Sequence, residues 1–122
     1  MNNKNDLLKS LNEDEFISSI FIGVTLITII GDEFVRKYYK NDDLKDFLKA
    51  KKLFILGLVV TLIIYLIFVK KNKNNLESRI KNNRETFPAR IRLFGSLLLV
   101  ISTICLIFFQ INDDSITNGP LI

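Results

Sequence analysis

The chain has 122 residues, 48% hydrophobic and 25% charged, with a formal net charge of +4. That apolar content excludes a long disordered protein, the lone cysteine, Cys105, excludes a disulfide scaffold, and the length argues against a multidomain enzyme. A mean hydropathy of +0.26 in a chain one-quarter charged requires the apolar and charged residues to be segregated into blocks.

Residues 1–13 read as a polar N-terminal tail. The first apolar block then runs from Phe16 to Gly31, and Phe34 and Val35 can carry it past Asp32 and Glu33. It predicts a first span over about 14–36. A cleaved signal peptide fits badly, because Asp6, Glu13, Asp14 and Glu15 outnumber Lys4 and Lys9 and no small-residue cleavage site follows. Asp32 and Glu33 mark where this helix leaves the bilayer.

Asn41-Asp42-Asp43 predicts an N-cap with acidic residues in the first turn. Leu44, Phe47, Leu48 and Lys51 follow at helical spacing, so a short amphipathic helix is expected to run unbroken into the second block. That block, Leu53 to Val69, holds no charge in 17 residues. A spanning helix needs about 17–25 mostly apolar residues. Asn72 to Asn75 reads as a polar break, with one or two helical turns over Leu76 to Lys81. Asn82-Asn83 interrupts again.

Thr86-Phe87-Pro88 predicts the third helix start, since proline is tolerated in a first turn. The third block, Leu93 to Ile111, holds no charge in 19 residues and ends close to Gln110, which is expected to reach the interface. A polar, mobile tail is expected over 112–122. Cys105 reads as a small hydrophobe rather than a reactive thiol.

The second and third blocks have no polar face, whereas a surface helix of a soluble domain shows one. So short a chain could not cover two helices that are apolar all round. The fold expected is therefore all-α: one integral membrane domain over 1–122, with three transmembrane helices at about 14–36, 44–70 and 88–111 forming a small bundle.

Lysine and arginine near span ends favour the cytoplasm. Two lie in 1–15, seven in 32–52, eight in 70–92 and none after 111. Three spans then put ten on the side of the N-terminus and second connection, against seven opposite. The N-terminus and residues 70–92 are expected to be cytoplasmic. The richness in Ile, Leu, Lys and Asn suggests AT-rich coding, hence a bacterial plasma membrane.

The chain contains no histidine, which removes the commonest general base and metal ligand, and excludes Ser–His and Cys–His pairs. No glycine-rich phosphate loop or metalloprotease motif occurs, and no catalytic, cofactor or metal residue is assigned. Two sets remain. Ser19, Gly23, Gly57, Thr61 and Gly95 are small or hydroxylated positions suited to helix packing. Lys70, Lys71, Lys73, Arg90 and Arg92 suit anionic lipid headgroups at the interface. Nucleic acid is not expected, since the basic connection offers only Phe87 for stacking, and no small-molecule substrate is identified. The expected partners are the bilayer and a second copy or another membrane protein. The function expected is that of an accessory, regulatory or immunity-type protein; the alternative is an oligomeric channel or holin-like permeabiliser.

Overall fold

A computed structural model describes residues 3–112. It contains three helices: α1 (Asn3–Asn41), α2 (Leu44–Lys81) and α3 (Phe87–Asn112). Each is long and apolar enough to cross a membrane. The expected C-terminal tail lies, beyond Asn112, outside the described residues.

Local chemistry sets both turns. Asp42 takes the left-handed conformation (φ 53°), which short polar side chains tolerate, and its N–H donates to Tyr38 O at 2.7 Å. Asp43 then caps α2, its carboxylate accepting from Lys45 N at 3.0 Å. The α1–α2 connection is therefore only two residues long, as the Asn-Asp-Asp signal predicts. α2 ends in a Schellman motif around Asn83 (φ 54°): Asn83 N donates to Ile80 O, and Arg84 N donates back to Arg79 O at 2.8 Å. Pro88 sits in the first turn of α3, where its missing N–H costs nothing.

Two expectations are corrected. Residues 3–13 are not a polar tail but the first turns of α1, continuous with the span. Asn72 to Asn75 do not break α2, which runs on to Lys81. An asparagine costs a helix at most ~0.7 kcal/mol, and extending a formed helix avoids the nucleation penalty. These two extensions also stand beside each other and supply each other's contacts, the Glu13–Lys71 ion pair among them. The amphipathic stretch that runs into block two forms as expected, as part of α2.

α2 is the middle helix. It packs against α1 on one side and α3 on the other, and among the described residues the backbones of α1 and α3 do not approach each other closely. The bundle is thus an open row of antiparallel helices. The α1–α2 seam is heptad-like. Val24, Thr28, Gly31 and Val35 of α1 are buried at alternating four- and three-residue steps, and so are Ala50, Phe54, Gly57, Thr61 and Ile64 of α2. That spacing is the left-handed coiled-coil pattern. Phe21 meets Tyr65 across the seam at 5.9 Å between ring centroids, and Tyr38 meets Phe47 at 6.0 Å.

α3 buries one line only, Ala89, Ser96, Thr103 and Gln110, at a strict seven-residue period. Small and hydroxylated residues let helix backbones approach closely, which is the usual basis of packing where lipid removes the hydrophobic drive. Gln110 is turned inward and 9% exposed, its Oε1 without a hydrogen-bond partner, rather than reaching to the interface. The remaining faces of α3 are apolar and open, Phe94, Ile101 and Phe108 among them. Cys105 is on this open surface.

The contacts bring the three apolar blocks level. Glu13 meets Lys71 just outside Phe16 and Val69, the facing ends of blocks one and two. Asn72 donates to Arg92 O at 3.4 Å, one residue before block three begins. The boundary between polar and apolar segments therefore lies at one level in all three helices, close to Glu13, Lys71, Asn72 and Arg92.

Candidate functional site

A polar concavity lies at that boundary, where the first turns of α1 face the last turns of α2. Asp6, Glu13 and Asp14 supply carboxylates; Lys9, Lys71 and Arg79 supply cations. Arg92 of α3 closes the cleft from the other side, with Asn72 and Asn75 between. The helical extension of α1 builds one wall, so a flexible tail at 3–13 would leave no cleft.

Glu13 and Lys71 form its central ion pair at 2.5 Å. Both side chains are partly exposed, so the pair fixes register more than it stabilises the fold. The hydrogen bond from Lys71 holds the Glu13 carboxyl below its ordinary value of 4.5; the charge of Lys71 and that of Lys9 add to this. Both ammonium groups therefore lie within the field of one carboxylate.

A second concavity shares Lys9, Glu13 and Lys71 but turns apolar below them. This furrow of about 520 Å³ runs along the α1–α2 junction between Phe16, Ile17 and Ile20 on α1 and Ile64 and Ile67 on α2. A third groove, between α2 and α3, holds Phe68, Asn72, Arg92, Gly95, Ser96 and Leu99.

The basic residues singled out from sequence are divided by the fold. Lys71 and Arg92 line the polar cleft, whereas Lys70, Lys73 and Arg90 are exposed outside it. Lys9, Glu13 and Arg79 complete the cleft and are absent from that sequence set. Only the pairing of two distant extensions brings them together, and no local motif announces it.

The packing residues divide likewise. Gly57 and Thr61 are buried in the α1–α2 seam, with Thr61 donating to Gly57 O at 2.8 Å. A Cβ on Gly57 would stand 3.5 Å from Val24, an ordinary contact. Ser19 is exposed and donates back to Glu15 O. Gly23 and Gly95 have no atom within 4 Å of the position a Cβ would take. The tight glycine is Gly31: a Cβ there would come within 3.0 Å of three ring carbons of Phe54. On α3 the small, hydroxylated positions Ser96 and Thr103 are buried with Ala89 and Gln110 along the seven-residue line, whereas Gly95 beside them is only partly buried.

Chemically, the cleft offers ammonium and guanidinium donors beside carboxylate acceptors, which suits the binding of charged groups. Among the described residues no cluster of Asp, Glu or Cys could hold a metal ion. The chain matches no protein-family model, no curated protein and no solved structure.

Proposed function

We propose that this is a small multi-pass protein of a bacterial plasma membrane that acts through helix–helix contacts, as an accessory, regulatory or immunity-type protein. The observation that supports this reading is the open row. α1 and α3 flank α2 without close backbone approach to each other, and both keep wide apolar faces exposed for a second copy or a partner's helix. The channel alternative would need a polar stripe turned away from α2. Instead Thr61, Ser96 and Thr103 are buried, and each donates to a carbonyl of its own helix.

The test is crosslinking of the tagged full chain inside intact membranes, followed by mild-detergent purification. A discrete homo-oligomer, or one partner at fixed stoichiometry, is the expected result. Recovery in the high-salt soluble fraction, or as an uncrosslinked monomer, would overturn the proposal.

For orientation, the basic end that carries the cleft is proposed to face the cytoplasm, with eight Lys and Arg in 70–92 and none after 111. A reporter active only in the cytoplasm, fused after Ile122, is then expected to be silent. Strong activity would reverse the orientation.

A further inference from the structure

We infer that the furrow between α1 and α2 is a site for one anionic phospholipid, its phosphodiester held by Lys9 and Lys71 and its acyl chain laid along Ile20, Ile64 and Ile67. The inference rests on the membrane reading above and adds to it a defined ligand and address.

Three features of the furrow converge. First, its chemistry changes sharply with depth. The end at the boundary carries Lys9, Lys71 and Glu13, and the wall below is aromatic and aliphatic. From Lys71 to Ile64 is about 10 Å along the helix at 1.5 Å per residue, so a headgroup and the upper part of its chain meet matching surfaces at once. Second, the volume of about 520 Å³ lies within the range of pockets that hold small molecules, about 300–1,000 Å³. Third, the charges are complementary. Two lysines and one glutamate leave a single net positive charge, which one phosphodiester neutralises.

Glu13 has a definite part in this. Its ion pair with Lys71 occupies one of that ammonium's three donors and leaves the others for phosphate oxygens. The same carboxylate feels the charge of Lys9, so it offsets part of the positive charge at the mouth of the furrow. A zwitterionic lipid brings its own cation to its phosphate and gains less from a site of net positive charge. The basic residues Lys70, Lys73 and Arg90 do not line the furrow; they are exposed and act as diffuse interfacial charge.

The experiment is native mass spectrometry of the full chain released from detergent micelles supplied with dioleoyl-phosphatidylglycerol or dioleoyl-phosphatidylcholine. The expected result is one retained phosphatidylglycerol and little phosphatidylcholine. Lys9→Gln with Lys71→Gln should lower retention about twenty-fivefold, since each basic residue at an anionic surface contributes roughly a factor of five. Because Lys71 also joins α1 to α2, the single change Lys9→Gln, at an exposed position, is run beside it and should lower retention severalfold. Glu13→Gln should retain the lipid at least as well as the parent chain. Ile67→Trp, which fills the furrow from a partly exposed wall, should lower retention with both lysines intact.

Equal retention of the two lipids by a chain that still fractionates with membranes would overturn the site while leaving the membrane reading in place. Displacement of the lipid by inorganic phosphate at equal concentration, or no effect of Ile67→Trp, would overturn the acyl-chain part. Loss on Glu13→Gln equal to that of the lysine pair would overturn the charge argument.

Discussion

Alanine at Gly31 is expected to destabilise the α1–α2 hairpin by about 1–3 kcal/mol, the usual cost of overpacking a filled interface. The same change at Gly23 or Gly95 should be neutral or stabilising. The difference lies in what a methyl group would meet. At Gly31 it would press into the ring of Phe54, which is 3% exposed and clustered with Val35 and Ala50. At Gly23 and Gly95 it would meet nothing within 4 Å, and alanine gains up to about 1 kcal/mol over glycine in a helix. Gly57, with Val24 at ordinary contact distance, should fall between them. Thermal unfolding of the four alanine variants in one mild detergent gives the ranking. Phe54→Leu should partly rescue Gly31→Ala, with a coupling of at least ~0.5 kcal/mol, because the two residues share one contact. If Gly31→Ala melts with Gly23→Ala, the seam is misassigned.

That ranking also shows where the sequence was legible. The three apolar blocks are plain because nothing charged interrupts them, and the second and third, with no polar face, have few places to be other than lipid. Both turns are plain because Asp43, Asn83 and Pro88 each have a local reason to be where they are. The extensions are not plain. Leu7, Leu8 and Leu11 are spaced like a helix, yet the stretch around them is polar, and it is held by a partner more than fifty residues away in the chain, as Glu13 and Lys71 show. Packing glycines pose a related problem. Four-residue steps from Ser19 through Gly23 also arrive at Gly31, but the buried stripe alternates fours and threes and comes to Gly31 through Val24 and Thr28. Which glycine is tight depends on which large side chain stands opposite, and that becomes visible only when α2 is in place.

The attachment of α3 yields the other large effect. Leucine at Ser96 or Thr103 is expected to push α3 off α2 and cost about 1–3 kcal/mol, because both positions are almost fully buried at the helix contact. Phe94→Leu and Phe108→Leu, on the open faces, should change stability by no more than ~0.5 kcal/mol. Size and hydrogen bonding can be separated at Thr103. Its hydroxyl donates to Leu99 O on its own helix at 2.8 Å, so it ties nothing across the contact. Thr103→Ala should therefore cost under ~1 kcal/mol, well short of leucine, because it keeps the close approach and gives up only that internal bond. The measurement is unfolding of all five variants in the same detergent, read by circular dichroism. An alanine as costly as the leucine would mean that the hydroxyl bonds across to α2 after all. A Phe108→Leu as costly as Thr103→Leu would mean that α3 meets its neighbour through the opposite face, and the open row would have to be redrawn with α3 turned about its own axis.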